Sequence, residues 1–284
     1  MVDIETAQPG SHADGPWRSM PQMVVLHIPH SSRRVPAEER QTILVNDTGL
    51  DGELLRMTDA YTDELFPITP VEAGRVIFPL SRLVCDVERF PSDENEPMAA
   101  RGMGVTYIRT SMGGVLRAKP DPADRQKCLD QWYWPHHSKL EHLVNDVAER
   151  SGVCLIVDCH SFPSVALPYE LDQTSPRADI SIGTDPFHTP LAVRDAIVAV
   201  AEADGYSVAV DAPFSGALVP LSSYRKDRRV LSVMIEVNRW LYMEEDSGKK
   251  KHGFGKVCTS LSRLVMAAAE RAVKEAPALV KPVG

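Results

Sequence analysis

Val153-Cys154-Leu155-Ile156-Val157-Asp158-Cys159-His160-Ser161 is the stretch on which the fold turns. Its first five residues are all apolar and do not alternate, so neither face of a strand built from them is meant for water. Such a strand belongs in the middle of a sheet covered on both sides, and the cover has to be helical. Where the apolar run stops, an acid and an imidazole follow at once, which places chemistry at the strand's C-terminal end.

Further strands are predicted over residues 23–28, 75–78, 83–87, 105–108, 207–210 and 232–237, from short apolar runs bounded by polar or turn residues. Helical spacing recurs over 50–66, 122–150, 190–203 and 256–273. In the last of these, Val257, Leu261, Leu264, Val265, Ala268, Ala272 and Val273 share one face. Strands alternating with helices predict an α/β fold with a mixed, mainly parallel sheet covered by helices on both faces. No internal repeat and no Gly/Ser/Pro-rich linker divides the chain. The expected organisation is therefore a flexible N-terminal arm over residues 1–22, a single catalytic domain over 23–284, and a frayed tail from Pro277 onward.

With 284 residues, 43% of them hydrophobic, the chain is long enough to bury roughly three quarters of its unfolded surface in one core. Its net charge is −8 and its longest basic run is Lys249-Lys250-Lys251, which excludes a phosphate-backbone footprint and so a nucleic-acid partner. No run of 18 apolar residues appears, and the polar first twenty residues do not read as a signal peptide, so a cytoplasmic protein without membrane contact is expected. The five cysteines, Cys85, Cys128, Cys154, Cys159 and Cys258, are odd in number and lack a CxxC. They point to neither a disulfide framework nor a zinc ribbon.

Three apolar strands run into reactive side chains: Val24-Val25-Leu26-His27-Ile28-Pro29-His30, Leu155-Ile156-Val157-Asp158-Cys159-His160, and Val233-Met234-Ile235-Glu236-Val237. Imidazole nitrogens and carboxylate oxygens are the ligand set of catalytic zinc, which takes three protein groups and leaves one position to water. A carboxylate beside that water is the expected general base. His30 follows its strand end and is preferred as ligand, with His27 in a structural role. His160 is the second ligand, and Asp158 is close enough in sequence to hold its other nitrogen. Glu236 is read as the base, against a competing buried ion pair with Arg239 or Arg225.

The third ligand comes from Met57-Thr58-Asp59-Ala60-Tyr61-Thr62-Asp63-Glu64-Leu65-Phe66, read as a helix with Asp59 and Asp63 one turn apart. Asp59 is named first, with Asp63 and Glu64 as alternatives and a solvated acidic face as the competing reading. Arg82, Arg89, Arg225, Asn238 and Arg239 suggest a small acidic molecule, because guanidinium forks match carboxylates. Arg82 and Arg89 pairing with Asp86 or Glu88 is the competing reading for those two. His137, just beyond Pro135, is placed at the cleft or on the surface. Gly102-Met103-Gly104 and Gly113-Gly114 lack the spacing and lysine of a nucleotide loop and read as turns.

Four ordered segments, Pro29-His30-Ser31-Ser32, the run from Ser81 to Phe90, Asp158-Cys159-His160-Ser161 and the run from Ile235 to Met243, resemble the N-formylglutamate amidohydrolase family across about residues 24–243. The resemblance implies a fold like that of the zinc exopeptidases, the group of carboxypeptidases and aspartoacylase. It also implies Zn2+ or another divalent metal on His30, Asp59 or a neighbouring acid, and His160, with Glu236 activating water. His137 or Arg82 would stabilise the oxyanion, and Arg89, Arg225 or Arg239 would hold carboxylates. The implied reaction is hydrolysis of a small N-acyl amino acid, most simply N-formyl-L-glutamate to formate and glutamate. The chain departs from the pattern at Arg33, where relatives often carry an acidic ligand, and at Ser31-Ser32, where Ser-Gly is common. The alternatives are a zinc hydrolase for another N-acyl amino acid, amide or peptide, and a non-catalytic binder of acidic metabolites. Assembly into a homo-oligomer is left open by the sequence.

Overall fold

The computed structural model describes residues 20–279, so most of the expected arm, residues 1–19, and the end of the expected tail, residues 280–284, lie outside the described residues. From the N-terminal side the elements are β1 (Val24–Ile28), α1 (Ala37–Arg40), α2 (Asp47–Met57), α3 (Thr62–Leu65), β2 (Glu72–Ile77), α4 (Pro122–Cys128) and α5 (Trp134–Ser151). There follow β3 (Cys154–Phe162), β4 (Ile180–Gly183), α6 (Leu191–Ala203), β5 (Val208–Val210), β6 (Val230–Asn238), β7 (Met243–Glu244), β8 (Lys249–Lys250) and α7 (Phe254–Leu279).

Six strands form one sheet in the order β2-β1-β3-β6-β4-β5, parallel throughout except where β4 runs against β6. β1, β3 and β6 are buried at every position. That is the pattern of strands covered on both faces, and it is why the decisive stretch has no alternation. Helix α5 packs on β1, β2 and β3, while α6 and α7 pack against each other and reach β3, β4 and β5. The sheet is therefore the mixed, mainly parallel one that the sequence pattern predicts.

The long C-terminal helix carries the anticipated apolar stripe, with Val257, Leu261, Leu264, Val265, Ala268 and Ala272 all in the main core. Leu264 is fully buried, so Leu264→Ala is expected to remove about 2–5 kcal/mol of stability through lost burial plus a residual cavity. Denaturant unfolding should show the loss as a lower midpoint with the slope unchanged, and a midpoint equal to the wild type would contradict the packing described.

Several boundaries differ from expectation. Residues 83–87, Val105 and Tyr107 are buried, but neither 83–87 nor 105–108 forms a ladder strand. They meet through the Asp86 N–H donating to the Val105 carbonyl at 2.8 Å and through isolated bridges nearby. Their apolar side chains fill two satellite cores under the loop 81–90, so burial alone produced a strand-like pattern. The expected helix over 50–66 is two helices: the backbone turns extended at Thr58 (ψ 133°) after Met57, and Tyr61 takes a left-handed φ of 67° before the second begins. Asp59 consequently leaves the helix altogether. Strand β4 is too short for its run, Ile-Ser-Ile-Gly, to stand out from a loop.

Candidate active site

Register builds most of the site. In β3 side chains alternate, so Asp158 and His160 share one face. Across the sheet His27 of β1 is the register partner of Asp158, and Glu236 of β6 is the register partner of His160. Four polar side chains thus line one patch at the C-terminal ends of the three buried strands, where an open parallel sheet presents its crevice.

His30 arrives just after β1, and Asp59 comes from the break between α2 and α3, tied to it by the Asp59 N–H donating to the His30 carbonyl at 3.0 Å. His160 Nδ1 lies 3.0 Å from Asp59 Oδ2, and His30 Nδ1 lies 3.6 Å from the same oxygen. The remaining ring nitrogens are held from behind: His30 Nε2 by Asp86 Oδ1 at 2.8 Å, and His160 Nε2 by Asp158 Oδ1 at 3.1 Å. Carboxylates that take the Nε2 protons leave both Nδ1 lone pairs facing the Asp59 oxygen, the arrangement of metal-ligating histidines. Arg239 fixes Asp59 from the other side, donating from Nη2 to Oδ1 at 3.0 Å.

These residues fit a divalent ion. Tetrahedral ligation at about 2.0–2.1 Å puts ligand atoms about 3.3 Å apart, and the ligand atoms of His30, Asp59 and His160 lie within 4.8 Å of one another. His30 Nδ1 is buried without a hydrogen-bond partner, as is Glu236 Oε2. Two orphaned polar atoms in one buried patch mark a place where something polar belongs.

The electrostatics agree with the geometry. Burial opposes ionisation of Asp59, but the close approach of His160 and His30 and the charge of Arg82 hold its carboxyl well below the usual range. Asp86 is likewise depressed against its burial, by Arg82 and His30. Glu236 goes the other way: burial pushes its carboxyl up to about 8, with the charge of His160 opposing and that of Asp59 assisting.

Behind the ligands, His27 Nδ1 lies 2.8 Å from Asp158 Oδ1 and 3.1 Å from Glu88 Oε1. Burial disfavours its charge, yet the hydrogen bond with Asp158 and the negative charges of both acids raise it to about 9. Its folded-state value exceeds the ordinary 6.5, so the stabilisation is complete below about pH 6.5 and is lost as pH rises through 9. Glu236 acts in the same sense, because a buried carboxyl that prefers its proton destabilises the fold once that proton is lost. The metal-free protein should therefore show a Tm that falls steadily between pH 6.5 and 9. A flat Tm over that window would contradict the protonation described for His27.

The structure brings together His30, Asp59, His160 and Glu236, with Arg82, Arg89 and Arg239 around them. Arg82 gives Nε and Nη2 to Asp86 and Nε to the Tyr107 hydroxyl, and Nη1 stands 3.8 Å from Asp59. Arg239 spends its guanidinium on Asp59, Ser161 and the Arg56 carbonyl. Arg89 is the least committed: it stands 3.5 Å from Asp86 and 3.8 Å from Glu96, and its Nε has no hydrogen-bond partner.

Other expected site residues lie elsewhere. Arg225 is exposed at the far end of the sheet. Its N–H donates to His188 Nε2 at 2.8 Å, and that ring binds the carbonyl of Val230 at the start of β6. Six strand residues separate Val230 from Glu236, about 20 Å at 3.3 Å per residue. Asn238 is spent on structure, donating to the Ala178 carbonyl at 3.0 Å and capping Trp240 N–H at 3.3 Å. His137 commits Nε2 to the Val87 carbonyl at 2.8 Å and packs its ring against Tyr133. Asp63 and Glu64 are exposed, Glu64 pairing with Lys250. The partners that sequence reasoning missed are Asp86 as the holder of His30, and the Glu88–His27–His136 group. Their only sequence signal was an acid set between two arginines in the run 81–90.

Comparison with known proteins adds independent findings. A sequence model of the family described as N-formylglutamate amidohydrolase matches residues 22–243. An N-formylglutamate deformylase of Pseudomonas putida is 24% identical over 227 residues, covering 78% of this chain and 82% of that protein. One from Pseudomonas aeruginosa is 26% identical over 239 residues, with coverage of 79% and 83%. A crystal structure of N-formylglutamate amidohydrolase from Ralstonia eutropha superposes with a TM-score of 0.75 at 23% identity, over 90% of this chain and 96% of that one. The structure of a gene product from Agrobacterium tumefaciens does so with 0.61 at 18% identity, over 91% and 93%. The two structural likenesses support the α/β architecture.

Proposed function

The chain belongs to the N-formylglutamate amidohydrolase family, and from that premise we propose that it is a metal-dependent hydrolase of a small acidic N-acyl amino acid. The simplest substrate is N-formyl-L-glutamate, cleaved with water to formate and L-glutamate. The observation that carries this reading is the pair of imidazoles, His30 and His160, each held at Nε2 by a carboxylate and aimed through Nδ1 at one oxygen of Asp59. Beside them is a glutamate with an unpartnered oxygen.

His30, Asp59 and His160 would hold the ion, Zn2+ in the first instance, which when bound supplies a Lewis acid that polarises the formyl carbonyl and lowers the pKa of a water toward 7. Glu236 takes a proton from the attacking water and returns it to the departing amine nitrogen, so that the C–N bond breaks to a neutral amine. A cation at the three ligands would lower its carboxyl from about 8, the direction that suits a group that must both accept and release a proton. Arg239 positions Asp59 and does not contact substrate in this reading. Arg82 Nη1 steadies developing negative charge on the carbonyl oxygen.

Arg89 holds a carboxylate of the substrate, because its guanidinium is the one with donors to spare. Arg89→Ala is expected to raise KM for N-formyl-L-glutamate about 10- to 100-fold with kcat little changed, the signature of lost binding shared by ground and transition states. An unchanged KM would move carboxylate recognition to another residue. Formate, acetate or succinate release from the corresponding acyl derivatives of glutamate and aspartate tests the substrate assignment directly. Formylglutamate should be turned over fastest, and a clear preference for the acetyl or succinyl group, or for aspartate, would overturn the assignment.

A further inference from the structure

A second set of metal-ligating side chains stands behind the first. His27 on β1, Glu88 in the loop 81–90 and Asp158 on β3 offer ligand atoms within 4.8 Å of one another. Asp158 Oδ1 and Glu88 Oε1 are 2.8 and 3.1 Å from His27 Nδ1. The reaction described above gives these three no role beyond the support that Asp158 lends to His160.

In the metal-free protein the proton on His27 Nδ1 satisfies only one of the two carboxylates. The nitrogen forms its hydrogen bond with Asp158, and Glu88 Oε1, also buried, is left with no hydrogen-bond partner. One N–H shared between two carboxylates makes at best one good hydrogen bond and one poor one, whereas one cation binds both. On the other side of the ring His27 Nε2 lies 2.8 Å from His136 Nε2, a contact in which one nitrogen must donate. If His27 donates there, its Nδ1 keeps a lone pair and His136 becomes the outer partner that fixes the ring, as outer partners do at metal-bound histidines.

We propose that His27, Glu88 and Asp158 form a second divalent-cation site, distinct from the His30–Asp59–His160 cluster and joined to it through the 3.1 Å contact of Asp158 Oδ1 with His160 Nε2. One imidazole nitrogen and two carboxylate oxygens suit zinc or manganese. An ion held there fixes Asp158 and, through it, the orientation of the His160 ring, so the site is a positioning device for the first. The proposal stands on its own ligands and does not depend on the identity of the substrate.

The test is metal stoichiometry on the full chain. Protein stripped by chelation is reloaded separately with zinc and with manganese, freed of excess ion, and analysed for metal per chain. Two ions per chain are expected, falling to one in Glu88→Gln and in His27→Gln, and also to one in His30→Ala. Glu88 is at the edge of the patch, so Glu88→Gln keeps the test decisive should His27→Gln fail to fold. A wild-type chain that holds a single ion, lost in His30→Ala and kept in Glu88→Gln, overturns the second site and leaves the first intact. Two ions that both survive Glu88→Gln and His27→Gln overturn its location, and a chain that binds no ion overturns both sites.

Discussion

Glu236→Gln is expected to lower kcat on N-formyl-L-glutamate roughly 10²- to 10⁴-fold, the range that a positioned general acid–base supplies. The amide keeps the shape of the carboxyl and the burial of β6, so the loss should be chemical and not structural. KM should move little, because the carboxyl is assigned no contact with the substrate's carboxylates. The metal content should match the wild type, since Glu236 is beside the three ligands and not among them. Metal analysis run alongside steady-state kinetics separates the outcomes. A variant that loses both activity and metal makes Glu236 a ligand, and one that keeps full activity gives the base to another group.

The second large effect belongs to His30. His30→Ala removes one of three ligands and also strands Asp86, a buried carboxylate whose low pKa depends on His30 and Arg82. Metal affinity should collapse and formate release should fall to the level of the metal-free protein. Asp86→Asn provides the graded control: it leaves the ligand in place and weakens only its support, so about a 10- to 100-fold loss of metal affinity is expected. Isothermal titration with zinc reads both variants. If Asp86→Asn were as damaging as His30→Ala, the damage would lie in the fold around Arg82 and Tyr107 and not in ligand geometry.

Much of this was readable before any coordinate. His30, His160 and Glu236 follow apolar runs at strand ends, and because a buried parallel strand has a strong sequence pattern, its C-terminal end is easy to find. Asp59 was legible by residue type but not by location. The turn that frees it from the helix runs from the extended Thr58 to Tyr61 at φ 67°, and no side-chain spacing announces it. Arg225 and Asn238 join the expected site by chemistry alone, as partners for an acidic molecule. A strand of nine residues carries Arg225 to the far end of the sheet, and Asn238 is consumed by a cap. Arg239 was read as a substrate clamp and instead braces Asp59, because its partner lies 180 positions away. Among the carboxylates that hold the histidines, Asp158 was legible two residues before His160, whereas Asp86 and Glu88 were not, since contacts between distant loops have no periodicity.

The most direct test of the account is formate release from N-formyl-L-glutamate by the protein as purified, after chelation, and after return of zinc. The account predicts activity that disappears with the metal and returns with it in the wild type but not in His30→Ala. Undiminished turnover by demonstrably metal-free protein would contradict it.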